Sequence, residues 1–489
     1  VYYVSHWWGE CLLDFIQCCE YHAMMHGLDP SVASYWVCAY ANRQHDLGSD
    51  LGTDPSKSSF NRAMQLSRGV LLVVDPRVVV TSRIWVDYEL FRTIQTKSLL
   101  DVAIFNRGVV SLIADEALVN EHPYQRNIRE TKFPFEEVCD KFFQLQLHTG
   151  EASLEIDKVR ILNVMRGNAK NLDSRSILTR TVIADPSDKK YLEDMQKFNT
   201  VDNTLRAAMA EKALSISLSK QDQTMEDFYG INLLDILKND VFRNSLVFDD
   251  LLALDTVTDA DVKKIIGLIS PNIETFTLDV CGCTNLTDDA FDGISLPNTL
   301  VHLDLNFGSA PNITNDAVIE FAKKIPSGLK SLKLNTTGFK NPDGTFSPPR
   351  SDSHLQAIAS AASASLESFE LTSVLEHDDL HGMGIIDLAK CMPMGLKNFS
   401  LDLIWSGFNP KSLNIMIGYF PSTLEHLTLR FSGGDFIDDK SLKILTGEVS
   451  KLINLKSFQL NSSDSGKMGY YCTRDIKSLE SLVSIARKL

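Results

Sequence analysis

Seven copies of one six-residue template constrain this chain more than any other feature. The template is L-x-x-L-x-L, with Ile or Phe allowed at the large positions. The copies read IETFTL from Ile273, LVHLDL from Leu300, LKSLKL from Leu329, LESFEL from Leu366, LKNFSL from Leu396, LEHLTL from Leu424 and LKSFQL from Leu455. Their starts lie 27, 29, 37, 30, 28 and 31 residues apart. Large apolar residues alternating with polar ones predict a short, half-buried strand. Several copies are followed by a polar turn and a helical pattern, as in LTDDAFDGI and ITNDAVIEFAKKI, and VTDADVKKIIGLI ahead of the first reads as a partial unit or cap. A unit of one strand and one helix cannot bury its own apolar face, but stacked copies can. The expectation is seven parallel strands on one concave sheet with helices outside. The long interval holds GFKNPDGTFSPPRSDS, which reads as an exposed loop.

This pattern resembles the leucine-rich repeat family, especially its long, ribonuclease-inhibitor-like and cysteine-containing subclasses. Three positions of each unit point to the concave face. The first column runs Glu274, Val301, Lys330, Glu367, Lys397, Glu425, Lys456, alternating in sign from Lys330 onward. Equivalent residues on adjacent strands sit about 4.8 Å apart, so these charges are expected to satisfy one another. Binding of a protein ligand then falls to the neighbouring columns: Asp304, Lys333 and Glu370, with His302 and His426. No aromatic residue stands in the three columns to act as an anchor.

The rest of the chain divides by pattern. Residues 1–118 alternate strand-like runs (YYVSH, SYWVCAY, GVLLVVD, DVAIF) with amphipathic helices, which implies a parallel α/β sheet covered on both faces. Residues 119–245 read as a helical linker or cap, from EVCDKFFQLQL, EIDKVRILNVMRG and NTLRAAMAEKALSISLS. Residues 246–489 are the repeat region. Three units suit a 489-residue chain. A net charge of −15 disfavours nucleic acid and anionic membrane as partners. The longest apolar run, GVLLVVDPRVVV, is interrupted and too short to span a bilayer. Nine cysteines in a chain of this size suggest a reducing, cytoplasmic setting. Cys18–Cys19, Cys281-x-Cys283 and His377-x-x-x-His381 lack a complete ligand set, so no metal is expected. The chain opens at Val1 without an initiator Met and reads as a fragment.

Two short motifs carry a second resemblance. YYVSHWWGE looks like the opening strand of a TIR domain, and SRIWVDYELFRT is similar to the TIR segment in which a Glu follows a Trp by four residues. Over about the first 110 residues the element order also resembles the TIR fold. WVCAYANRQH is similar to fungal incompatibility domains, although Arg43 separates Asn42 from Gln44. In TIR domains that cleave NAD the Glu is catalytic, and by position the resemblance assigns that role to Glu89. A fixed carboxylate stabilises the positive charge that develops on ribose as the nicotinamide bond breaks. Ser5, His6, Trp7, Trp8 and Trp85 would line the substrate pocket, and Glu10 and Asp75 are further carboxylate candidates. NAD enters as substrate; no cofactor is expected. Trp7 and Trp8 stand where TIR enzymes commonly carry a basic residue, and Val86 stands where a Cys is usual.

Glu89 has a plainer reading beside this one, as a charge on a solvated helix edge with Asp87 and Arg92. Many TIR domains bind one another without catalysis. No G-x-x-x-x-G-K-[ST] loop occurs, so a P-loop ATPase switch is absent from the sequence. The expected protein is an intracellular sensor: a TIR-like effector that cleaves NAD and self-associates, joined to a repeat arm that binds protein. A non-catalytic interaction scaffold and another nucleotide- or nucleoside-handling enzyme are the alternatives.

Overall fold

The computed structural model describes residues 1–463 except 30, 44, 46–51, 117, 122, 169, 183–184, 220–232, 250, 252–255, 338, 341–345, 348–352, 362–363, 375–382, 405–409, 433–444 and 446. The chain forms two compact units, one of residues 1–217 with 222–243, the other of residues 218–221 with 244–489.

The first unit is built on a five-stranded sheet in the order β2-β1-β3-β4-β5. Its strands are β1 (Tyr2–Ser5), β2 (Tyr35–Val37), β3 (Gly69–Val74), β4 (Leu99–Asn106) and β5 (Val109–Ile113). The first four are parallel and β5 is antiparallel to β4. Every residue of β1 and β3 is buried, as a sheet with both faces covered requires. The helices among these strands are α1 (Leu12–Met25), α2 (Cys38–Ala41), α3 (Ser59–Leu66) and α4 (Ile84–Gln95). Phe15 and Cys18 of α1 meet Val4, Leu71, Val73 and Ala103 on one face. β5 was not expected. Arg107 and Gly108, with φ of 51° and 83°, turn the chain back in two residues, the conformation tight hairpins favour.

The segment read as a helical linker forms α5 (Pro123–Thr131), α6 (Phe135–Phe143), α7 (Glu155–Met165), α8 (Ser176–Val182), α9 (Lys189–Ser219) and α10 (Leu233–Lys238). It packs largely into the first unit, where α7 lies against α4.

The second unit is one eight-stranded parallel sheet with a helix or 3-10 turn after most strands. The seven templates become β7 (Thr275–Asp279), β8 (His302–Asn306), β9 (Ser331–Asn335), β12 (Ser368–Val374), β13 (Asn398–Ile404), β14 (His426–Ser432) and β15 (Ser457–Ser463). They pair in sequence and in register. One strand the template did not match, β6 (Ser245–Phe248), adds to β7. The short pair β10 (Phe339–Lys340) and β11 (Phe346–Ser347) lies in the long interval. Inside, Phe276, Leu303, Leu332, Phe369, Phe399 and Leu427 form one buried row, and Leu278 through Leu429 form the next.

Two repeated polar devices hold the units in step. At the strand ends Asp279, Asn306 and Asn335 each accept a backbone N–H two residues on, from Cys281, Gly308 and Thr337, at 2.9–3.1 Å. A Cβ on Gly308 would stand 2.7 Å from the Thr337 hydroxyl, so glycine is needed there. On the helix side, Thr258, Thr287 and Thr314 cap the next turn or helix. Thr287 also donates its N–H and hydroxyl to Asp259 at 2.8 and 2.7 Å, and Thr314 does the same to Asp288 at 2.6 Å.

Candidate functional site

In the 2-1-3-4-5 order the chain reverses direction across the sheet between β1 and β3, the place where open α/β sheets collect ligands beyond their strand ends. A cavity of about 120 Å³ lies there. Trp7, Glu10 and Asp14 line it from one side, Val73 to Arg77 from another, and Phe105 closes it. Arg77 lies 5.3 Å over the Trp7 ring. Burial raises the Glu10 carboxyl, against a hydrogen bond from His6 at 2.7 Å. Asp75 accepts the N–H groups of Arg77 and Val80, so it holds the turn after β3. The cavity is well below the roughly 300 Å³ at which small-molecule sites begin, and a dinucleotide does not fit without rearrangement.

Glu89 is not among the cavity's lining residues. It projects from α4 to the opposite face of β1 and is 4% exposed. Its Oε1 accepts from the Tyr3 hydroxyl at 2.6 Å and its Oε2 from the Ser5 hydroxyl at 2.5 Å. Burial pushes its carboxyl up to about 7, although Ser5, Tyr3 and the nearby His6 all favour the charged form. A carboxyl near 7 matches general acid or base work at neutral pH. Tyr3 was missed by sequence reading. Strand alternation puts residues 3 and 5 on one face, so choosing Ser5 carried Tyr3 with it.

The other candidates scatter around this pair. Trp8 is 55% exposed, and its indole N–H points at the Cys38 thiol at 2.9 Å. The charge of Glu89 reaches that thiol too, which burial already raises to about 12. His6 keeps Nδ1 on Glu10, while its Nε2 is buried without a partner. Trp85 packs edge-on against Phe60 at 5.0 Å and Tyr88 at 6.0 Å, and Phe60 meets Trp36, which stacks on Tyr3. The structure therefore joins Ser5 with Glu89, sets His6 and Trp8 near them, and leaves Trp7 with the cavity.

The solvated-edge reading of α4 is corrected. Asp87 and Glu89 are both buried and Arg92 is half-buried. The reason is tertiary: Glu89 turns inward onto Tyr3 and Ser5 of β1, and Asp87 stands against Gly150 and near Asp202, which periodicity within α4 cannot reveal. Both carboxylate oxygens of Asp87 lack a partner, and burial together with the charge of Asp202 holds this group well above the usual range.

A third cluster was not singled out from the sequence. His22 and His26, one turn apart at the end of α1, both place Nε2 on Oδ2 of Asp101 in β4, at 2.9 and 2.8 Å. All three residues are buried. His377 and His381 lie outside the described residues.

On the open face of the repeat sheet the first charge column lines up as read. Glu367 pairs with Lys397 and Glu425 with Lys456, each at 2.6 Å. In the third column Lys333 pairs with Asp304 at 3.0 Å and has Glu370 as its next neighbour. Arg430 approaches Asp402 at 3.9 Å. His302 and His426 are exposed, and His426 meets the Ser457 hydroxyl at 2.7 Å.

Among the described residues no helix is long and apolar enough to cross a membrane. No family model matches the chain, and no curated protein matches it. Among solved structures the chain is similar to the leucine-rich repeat-containing protein LegL7 from Legionella pneumophila. The two are 12% identical, the match covers 50% of this chain and 89% of that one, and the TM-score is 0.26. A likeness at that level carries no argument, and the repeat architecture stands on the strand register above.

Proposed function

We propose that this chain is a recognition protein whose repeat sheet binds a protein partner. The observation that carries this reading is the open face of that sheet. Eight parallel strands in register display columns of exposed and half-exposed polar residues. Asp304, Lys333, Glu370, His302 and His426 lie in two adjacent columns of it. With charge pairs and no aromatic anchor, such a face selects partners by electrostatic complementarity more than by apolar burial. A photo-crosslinking residue placed at Glu370 in the full chain should trap a discrete partner. Lys333→Glu with Arg430→Glu should abolish the product, and Glu320→Lys on the helix side should not. Equal crosslinking in both variants would refute the binding face.

A second reading is favoured by the environment of Glu89. In it the N-terminal unit is a TIR-like module that cleaves NAD and self-associates. Support comes from the five-strand order, from a Glu on the helix after the third strand, and from its near-neutral carboxyl beside Ser5. Catalysis requires the Tyr3 and Ser5 contacts to open toward a substrate. Purified protein, alone and artificially clustered, should release nicotinamide from NAD, and Glu89→Gln should stop it. If clustered wild type releases none, this unit is a non-catalytic module.

A further inference from the structure

We propose that His22, His26 and Asp101 form a structural site for a divalent first-row cation, zinc being the natural occupant of such a donor set. Two imidazole nitrogens and a carboxylate oxygen suit zinc, cobalt, nickel or iron better than calcium or magnesium. The histidines are spaced i, i+4, so both project from one face of α1. The three donor atoms lie within 4.8 Å of one another. Ligands of a tetrahedral zinc ion at about 2.1 Å stand about 3.4 Å apart. The observed 2.8 and 2.9 Å contacts would therefore open by about half an ångström on binding.

The outer contacts already have the arrangement that metal ligation needs. Asp101 Oδ1 accepts the N–H of Asp115 at 3.0 Å, which leaves Oδ2 for the site. The Tyr35 hydroxyl donates to the Cys19 carbonyl at 3.1 Å, so its lone pair faces His22 Nδ1 at 2.8 Å. A proton on Nδ1 satisfies that contact and turns the lone pair of Nε2 toward Asp101 Oδ2. Two lone pairs at 2.9 Å repel unless a proton or a metal cation lies between them. An outer hydrogen bond that fixes the tautomer of a ligating histidine is a regular feature of metal centres. The second observation is Tyr2. Its ring packs on both imidazoles, at 4.6 and 5.6 Å, and its hydroxyl is buried without a partner. That hydroxyl, or a water bound to it, would supply the fourth position. Of the other charges near the cluster, Arg68 and Glu116 pair with each other at 2.9 Å, and the Asp115 carboxylate accepts the Leu100 N–H at 2.8 Å. The site would tie the end of α1 to β4, and its burial suits a closed structural centre rather than a catalytic one.

The test is zinc binding to the full chain, first stripped with a chelator and kept reduced. Wild type should take up one zinc per chain tightly and melt higher with zinc than without. Tyr35→Phe keeps all three ligands and the fold, and should weaken binding about 10–100-fold. His26→Gln keeps a donor to Asp101 and should weaken it further. Cobalt substituted into wild type should show weak visible d–d bands without a thiolate charge-transfer band, a reading that depends on no variant. No zinc uptake by wild type overturns the proposal. So does equal binding by Tyr35→Phe and His26→Gln, and so does a thiolate band, which would move the metal to Cys18 or Cys19.

Discussion

Glu89→Gln tests the physical description of α4 independently of any enzyme assay. Glu89 has an ordinary value of 4.5, and burial moves it to about 7 in the fold. Below pH 4.5 the group is protonated in both folded and unfolded chains, so it costs nothing. Between pH 4.5 and 7 the unfolded chain loses this proton first, and stability falls as pH rises. Above pH 7 the cost is constant, at about 3 kcal/mol from the two values. Glutamine is neutral throughout and escapes it. One of the Tyr3 and Ser5 hydroxyls must then turn to accept from the new amide, which offsets the gain by about 1 kcal/mol. The variant should therefore be more stable than wild type at pH 8 by about 2 kcal/mol, a rise in Tm of roughly 4–8 °C for a unit of this size. At pH 4.5 it should be equal or slightly worse. Urea melts followed by tryptophan fluorescence suit the test, because Trp36 stacks on Tyr3 beside the site. A variant less stable at pH 8, or a difference that ignores pH, would show that the fold holds Glu89 ionised and that burial does not dominate.

Three further outcomes are expected. Asp87→Asn should also stabilise at neutral pH, because burial holds Asp87 well above its usual range, and the gain should fade toward pH 4; denaturant melts across pH will show whether it does. Thr287→Val removes a cap and a link to Asp259, and should cost about 1–2 kcal/mol in chemical denaturation of the repeat unit; no change would mean the threonine ladder is ornamental. Glu367→Lys sets like charges beside Lys330 and Lys397 on an exposed surface, and should lower Tm only slightly, with the loss vanishing in high salt.

The repeat sheet was legible because its information is local and redundant. Each template carries its own alternation, and seven copies in register leave no other way to bury Phe276, Leu303 and their equivalents. β6 escaped because SLVF keeps only part of the template and is recognised by its pairing with β7. β5 escaped for a different reason: its turn is Arg107-Gly108, and an arginine at positive φ is not a usual turn signal. The site was harder because its residues are set by layers that lie far apart in sequence. Nothing within IWVDYELFRT announces that Glu89 will meet Tyr3 and Ser5 of β1, or that Asp87 will stand against Gly150 and near Asp202. Nor does anything within LLDFIQCCEYHAMMHG announce that Asp101 will stand against His22 and His26, since the i, i+4 spacing of two histidines gains chemical meaning only once a third ligand is beside them. What sequence did offer was the parity of a strand. Tyr3, Ser5 and Glu89 meet because β1 alternates faces and α4 packs on one of them, and that parity sends Val4 to the opposite core with Phe15. The same logic separates the two halves of the expected pocket. Trp7 follows the end of β1 into the cavity between β1 and β3, whereas Glu89 is committed to the α4 side of the sheet, so a ligand seated on Trp7 reaches Glu89 only if the β1 end itself moves.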